Sequence, residues 1–502
     1  MQMENFAPIM FAGLVLTMLI GFPVAFSLAF LGLACGFFAI AMDWFPASFM
    51  ANLPLNIFGI LSNDLLLAIP FFTFMGAILE KCGLAEDMLD SMGQLFGTVR
   101  GGLGYSVIIV GFILGAITGT VAGQVIAMAL ISLPVMIRYG YNMRYATGVL
   151  AASGTITQLV PPSLVLVVMA DQLGRSVGDM YKGAWGPSLM QVGIFALYTF
   201  ALGIFRPHYV PGIPKEARTM DGLHLWIKCL RGIIPSAFLI FAVLGSMGGL
   251  PGMNTAVATP TEAGAMGCVG ALLLAGMHKR LTRDLVWEAM HSTMRLTAMV
   301  VFILIGSRVF SMVFQGVDGA KWVEHMLSGL PGGQVGFLFA VNIFIFFLAF
   351  FLDFFEIAFI ILPMLGPVAE KMGIDMVWFG VLLCVNMQTS FMHPPFGFAL
   401  FYLRGIADTL FKEGRLEKPV RSNDIYMGAI PWVIMQLMLV VIVILVPQSV
   451  TMFLDKEEKI DLDKVVIEMP TEQETNPEIK LEDLKPETPG DEQKRIDDLF
   501  KK

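Results

Sequence analysis

The chain has 502 residues, 56% hydrophobic and only 14% charged, with a mean hydropathy of +0.74. Soluble domains run near 25% charged, so this composition excludes an ordinary soluble globule and predicts a polytopic all-α membrane protein; the short alternating strands of a membrane β-barrel are missing from the sequence. The net charge of −8 says little about partners, because much of the acid sits in the C-terminal tail, and no basic surface suggests nucleic acid.

Apolar stretches of membrane-spanning length recur from Phe6 to Val446. The first is too long for a signal peptide and lacks a cleavage pattern. Residues 1–100 predict scaffold helices and then an amphipathic arm from Glu80 to Arg100, with Met88, Leu89, Met92 and Leu95 on one side, an interfacial helix rather than a partner site. Residues 101–170 predict a first hairpin and a broken helix. Arg100, Arg138 and Arg144 put both hairpin ends in the cytoplasm. The apolar chain between them must therefore enter and return. Its centre, Thr118 to Gln124, is a poor helix, which predicts a re-entrant hairpin with an irregular tip; the alternative is two short full spans joined at Gly119 to Gly123.

Residues 171–331 predict further scaffold helices, with cytoplasmic basic loops at Arg206, Lys215, Arg218, Lys228 and Arg231 and at Lys279, Arg280 and Arg283. Residues 332–403 predict a second hairpin, Gly332 to Glu370, and a second broken helix. Residues 404–450 hold a third basic loop and a terminal helix. Residues 451–502 form an acidic tail with almost no aromatics, predicted to be disordered. Counting crossings puts the second hairpin, the N-terminus and the tail on the periplasmic side, so the two repeats are expected to be inverted.

The repeat is visible in the letters. Gly140-Tyr141-Asn142-Met143 leads to Pro161-Pro162, and Gly373-Ile374-Asp375-Met376 leads to Pro394-Pro395, with equal spacing (161 − 140 and 394 − 373, both 21). Upstream, Pro134-Val135 and Pro367-Val368 keep the same offset of 233 (367 − 134). Each copy is an apolar helix interrupted by small and polar residues. A duplicated, broken membrane helix is the sequence mark of a secondary transporter's binding site.

Several residues carry candidate chemistry. The breaks at Ser153-Gly154-Thr155-Ile156-Thr157 and Asn386-Met387-Gln388-Thr389-Ser390 free backbone carbonyls that must find partners in lipid, and carbonyls plus hydroxyls suit Na⁺. The prolines at 161, 162, 394 and 395 stop either helix from resuming. Asp353 and Glu356 are the one acidic pair deep in a long apolar run; they either meet a cation or cap a half-helix, and the two roles are compatible. Candidate Na⁺ ligands are Gly119, Thr120, Ser153, Gly154, Thr155, Asp353, Asn386, Gln388 and Thr389. Candidate substrate residues are Thr157, Pro161, Pro162, Glu356, Ser390, His393 and Pro394. Glu262, behind Thr259-Pro260-Thr261, fits a helix start rather than a site. The five cysteines have neither metal nor disulfide spacing. No GxxxxGK[ST] and no HExxH occurs, so neither an ATP motor nor a zinc protease is expected and no transition metal is needed. The rival class is a membrane-embedded enzyme using Asp353, Glu356 and His393 as acid–base groups.

These pieces resemble the large membrane subunit of tripartite ATP-independent periplasmic (TRAP) transporters. The resemblance rests on Gly21-Phe22-Pro23-Val24-Ala25-Phe26, Ala68-Ile69-Pro70-Phe71-Phe72, Gly148 to Thr155, Val160-Pro161-Pro162-Ser163, Ala258 to Ala265 and Pro394-Pro395-Phe396-Gly397, which appear in family order over roughly residues 6 to 450. It implies Na⁺-coupled uptake of an organic acid, usually a carboxylate, across the bacterial inner membrane. It further implies delivery by a periplasmic binding protein, a separate small four-helix membrane subunit, and an elevator-type transport domain sliding on a scaffold. A divalent-anion-type carrier without a binding protein is the related alternative. Three features depart from the pattern: a hairpin tip poorer in serine, His393 where a small residue is usual, and the long tail.

Overall fold

The computed structural model describes residues 6–454 except 119, 215–222, 254, 330, 351 and 396. Gly119 and the acidic tail thus lie outside the described residues. Among those described, the regular elements are all helical, and seven are long and apolar enough to cross a membrane.

Proline, glycine and capping residues set the ends. Pro23 precedes α2 (Val24–Ala41), which follows α1 (Phe6–Leu19). Short α3 (Ala47–Ala51) and α4 (Leu53–Leu61) meet α5 (Asp64–Lys81) at a 47° bend, where the Asn63 side chain accepts from the Leu65 amide. The amphipathic arm is α6 (Leu84–Phe96). It begins at Leu84, because Glu80 and Lys81 still belong to α5, and Met88, Leu89 and Met92 are buried against neighbouring helices rather than left on an interface.

The first hairpin is α7 (Gly102–Thr118) and α8 (Val121–Arg138), and the first broken helix is α9 (Met143–Thr155) and α10 (Leu164–Leu173). Then come α11 (Val177–Phe205), α12 (Leu223–Ser246), α13 (Pro260–Met277), the 34-residue α14 (Arg283–Gly316) and α15 (Gly319–Ser328). The second hairpin is α16 (Gly333–Leu348), then α17 (Phe354–Glu356), a π-turn over Ile357–Ile361 and α18 (Leu362–Lys371). The second broken helix is α19 (Met376–Ser390) and α20 (Phe398–Lys412), followed by α21 (Ser422–Leu445) and α22 (Gln448–Thr451). The duplication holds at the level of elements: α8 and α17 start, α8 and α18 end, and α9 and α19 start at positions 233 apart (354 − 121, 371 − 138, 376 − 143).

Within one compact unit two sets of helices pack most densely among themselves, and they meet where α5 lies on α7 and α10. On one side α2 lies on α14, and α5 on α13 and α14, with α12 on α13. On the other, α7, α8 and α9 pack mutually, α19 packs on α10, α11 and α16, and α21 packs on both α9 and α19. α9 from Tyr145 to Thr155 and all of α19 are buried, as a helix in the middle of a bundle must be. By contrast α2 exposes Phe26, Phe30 and Phe37, which suits a lipid face. α11, in the stretch expected to be scaffold, and α21, the expected terminal helix, both pack directly on the broken helices.

Candidate functional site

Each broken helix stops where its prolines are about to arrive, since a residue before proline is pushed out of the α region. α9 tightens into a 3₁₀ turn at Ile156–Gln158, and α19 ends at Ser390. The polar clusters therefore lie in the last turns of α9 and α19, and the irregular backbone comes after them, at 159–163 and 391–395. This corrects the placement of the break at 386–389, which is helical. The hydroxyls explain why the turns persist: Thr155 donates to Ala152 O (2.9 Å), Thr389 to Asn386 O (2.7 Å) and Ser390 to Met387 O (2.5 Å), so carbonyls orphaned at a helix end acquire partners. Ser163 restarts the first helix by capping the Val165 amide. The bond within each proline pair is cis.

The first hairpin covers the first break. Gly111 and Gly115 of α7 let it do so, for a Cβ on Gly111 would come 2.8 Å from the Ser153 Cβ and one on Gly115 3.2 Å from the Thr157 Cα. Gln124 of α8 is fully buried and donates to Gly111 O (2.6 Å) and Ser153 O (2.9 Å), while the Thr157 hydroxyl donates to its carbonyl oxygen. The expected irregular stretch, Thr118 to Gln124, is correspondingly shorter: α8 is already helical from Val121, with Thr120 preceding it in extended conformation and making no side-chain cap bond. In a medium without water the backbone keeps every helical bond it can.

The second break has its own amides. Asn386 donates to the Asn342 carbonyl (2.8 Å), and Gln191 of α11 donates to the Gln388 side-chain oxygen (2.6 Å). From α21, Gln436 donates to the Thr155 hydroxyl (3.0 Å). The two breaks touch, because the Thr155 hydroxyl also lies 3.7 Å from the Met392 sulfur. α11 spans both, through Ser188 to Leu159 O (3.2 Å) and Gln191 to Gln388.

Among the described residues, eight of the eleven buried side-chain polar atoms without a protein partner lie here: Ser153 Oγ, Gln158 Oε1, Gln191 Oε1, Asn342 Oδ1, Gln388 Nε2, Gln436 Oε1 and both His393 ring nitrogens. Native folds leave few such groups, and a cluster of them calls for a function. Five are neutral oxygens, the donor type that suits a hard monovalent cation. Gly154 contributes closeness instead: a side chain there would collide with Val125.

The predicted residues thus divide. Ser153, Gly154, Thr155, Thr157, Pro161 and Pro162 lie together at the first break, buried, and Asn386, Gln388, Thr389, Ser390, His393 and Pro394 at the second. His393 sits against Phe346 and Phe350, with ring centroids 4.2 and 4.6 Å away. Asp353 and Glu356 lie elsewhere. They form a reciprocal capping box, Asp353 accepting from the Glu356 amide and Glu356 from the Asp353 amide, each at 2.9 Å. Their tip packs on α10 and α14, and no hydrogen bond joins either acid to a break among the described residues. Glu262 forms the same box with Thr259. Gln124, Gln191, Asn342 and Gln436 were not among the predicted ligands. Each is a lone amide inside an apolar run, which was the available signal. Among the described residues no group of His, Cys, Asp and Glu could hold a transition metal.

Residues 11–449 match the family described as the tripartite ATP-independent periplasmic transporter, DctM component. The chain is 30% identical to the C4-dicarboxylate TRAP transporter large permease protein DctM of Rhodobacter capsulatus, over 88% of this chain and 97% of that one. It is 26% identical to the 2,3-diketo-L-gulonate TRAP transporter large permease protein YiaN of Escherichia coli, over 86% and 95%. In fold it is similar to the Alcanivorax borkumensis YdaH transporter (TM-score 0.54, 15% identity, 79% of this chain and 87% of that one). With almost the whole apolar chain matched and the doubled hairpin and broken helix in place, the protein belongs to the DctM family of TRAP transporter components.

Proposed function

We propose that this chain is the permease of a Na⁺-coupled importer of an organic acid, most simply a carboxylate. The acid is handed over by a periplasmic binding protein, and the permease works with a small four-helix membrane subunit in the bacterial inner membrane. The observation that carries the proposal is the meeting of the two helix breaks at Thr155 and Met392, with neutral oxygens lacking protein partners around it. Na⁺ binds first among those oxygens. Its charge, together with the N-terminus of α10, then favours an incoming carboxylate. The relatives support the acid, since one carries a C4-dicarboxylate and the other a sugar-derived acid by name. The word tripartite in the family's description supports the two partners.

The denser packing inside each group supports an elevator-type movement. The hairpins, the broken helices, α11 and α21 travel as one body against α2, α5 and α12–α14. The test is uptake into proteoliposomes holding this chain with its small subunit, supplied with acid-loaded binding protein under imposed gradients. Uptake is expected only with external Na⁺. Equal uptake when choline or K⁺ replaces Na⁺, with no proton gradient, would sink the proposal.

A further inference from the structure

A cavity of about 290 Å³ opens between α4, α5 and α14 on one side and the end of α10 and the π-turn on the other. It lies on the seam between the two packing groups, away from the helix breaks. Its walls are polar: Asn63, Asp171, Gln172, Ser311 and Gln315 line it, and so does Arg308. Arg308 is the one charged residue in the last 20 residues of α14, TAMVVFILIGSRVFSMVFQG. It lies eight residues before the helix end, about 12 Å along the axis. A guanidinium at such a depth is costly unless it faces water or an anion.

No protein anion meets it: among the described residues Arg308 makes no ion pair and no hydrogen bond. Asp171 shares the cavity, where its two oxygens accept from Asn63 Nδ2 and Gln172 Nε2, both at 2.8 Å, and neither bonds Arg308. The wall opposite is held in place, since the neighbouring Ser307 hydroxyl donates to the carbonyl of Phe359 in the π-turn. A π-turn inside a membrane hairpin is itself a frequent companion of function.

We propose that this cavity is a second station for a small organic anion, with Arg308 as the group that binds its carboxylate or sulfonate. Five donors in a planar fork match such an oxyanion two at a time. Ser311 and Gln315, one and two turns further along α14, add neutral hydrogen bonds for hydroxyl or keto groups. The volume stands at the low end of ligand sites, about 300–1,000 Å³, which suits a short acid. The station rests on the organic-acid function proposed above and adds a scaffold-side residue to it.

Thermal stabilisation of the purified chain in Na⁺ by succinate, gluconate and methanesulfonate tests it. At least one acid is expected to stabilise the wild type. Arg308→Gln should raise that acid's half-saturating concentration about tenfold or more, and Arg308→Lys by less, because a point charge replaces the fork. Wild-type half-saturation in Arg308→Gln overturns the station and leaves the transport function standing. Failure of all three acids on the wild type overturns the station, and the uptake assay decides the transport function separately. A readout that needs no ligand uses Ser311→Cys in a cysteine-free background. An anionic methanethiosulfonate should react faster than its cationic analogue, and Arg308→Gln should abolish the preference. No preference, or no reaction with either reagent, overturns the station as well.

Discussion

The side-chain amide nitrogen of Gln124 lies 2.9 Å from the carbonyl oxygen of Ser153, and this bond ties the first hairpin to the helix break it covers. The same nitrogen donates to Gly111 O at 2.6 Å, so one residue serves two backbone carbonyls on two elements. Gln124→Leu keeps the volume, removes both bonds and leaves the Thr157 hydroxyl without its acceptor. The two carbonyls keep their place in helical turns, so the loss is that of the side-chain bonds, roughly 1–3 kcal/mol. Thermal unfolding in detergent checks it. An unchanged melting temperature would show that the hairpin does not depend on this amide.

Asp353 caps the inner arm of the second hairpin with one oxygen and carries a charge besides. Asparagine caps a helix about as well as aspartate does, whereas alanine loses about 1 kcal/mol. Asp353→Asn should therefore keep the fold. If the charge also serves the cation, the substitution should abolish or strongly weaken Na⁺-driven uptake. Wild-type Na⁺ dependence in Asp353→Asn, with destabilisation in Asp353→Ala, would leave Asp353 a cap and nothing more.

Much of the architecture could be read from the letters because the chain repeats itself and prolines mark the stops. Pro161-Pro162 and Pro394-Pro395 end the first half-helices by removing donors, and that needs no tertiary context. The ends of the polar clusters were harder to place. Thr155, Thr389 and Ser390 look like helix breakers in sequence, yet each hydroxyl turns back on a carbonyl three residues earlier and keeps the last turn helical. The distant partners could not be read at all. Gln191, Asn342 and Gln436 come from three separate helices, and only packing brings them to Gln388, Asn386 and Thr155. Asp353 and Glu356 show the converse. Their spacing of three is equally that of a capping box and of a cation site, and the structure shows the box.

His393 has two ring nitrogens without a protein partner, pressed between Phe346 and Phe350. Replacing an unpaired buried polar group with an apolar one of similar shape is neutral or stabilising. His393→Phe should therefore melt at the wild-type temperature or above it. If the ring contacts substrate, uptake should nonetheless fall about tenfold or more, the weight of one lost hydrogen bond to a charged group. Full uptake by a stable His393→Phe protein would assign the residue to packing.

Arg138 and Lys371 close the inner arms of the two hairpins at equivalent places, 233 positions apart (371 − 138), and both are exposed. An inverted repeat requires these equivalent ends to face opposite sides of the membrane. The charges agree. Arg138 stands near Arg144, as a cytoplasmic end should, while the second hairpin is only weakly basic. The Lys371 ion pair with Glu324 is exposed at both partners, so replacing it costs no more than about 1 kcal/mol. Single cysteines at the two positions, in a cysteine-free background, can be labelled in intact cells with an impermeant maleimide. Lys371→Cys should react from outside, and Arg138→Cys only after permeabilisation. Labelling of both from one side would make the repeat parallel. A cation shared between α9 and α19 would then no longer lie between two mirror-related half-helices, and the elevator would lose its two alternating gates.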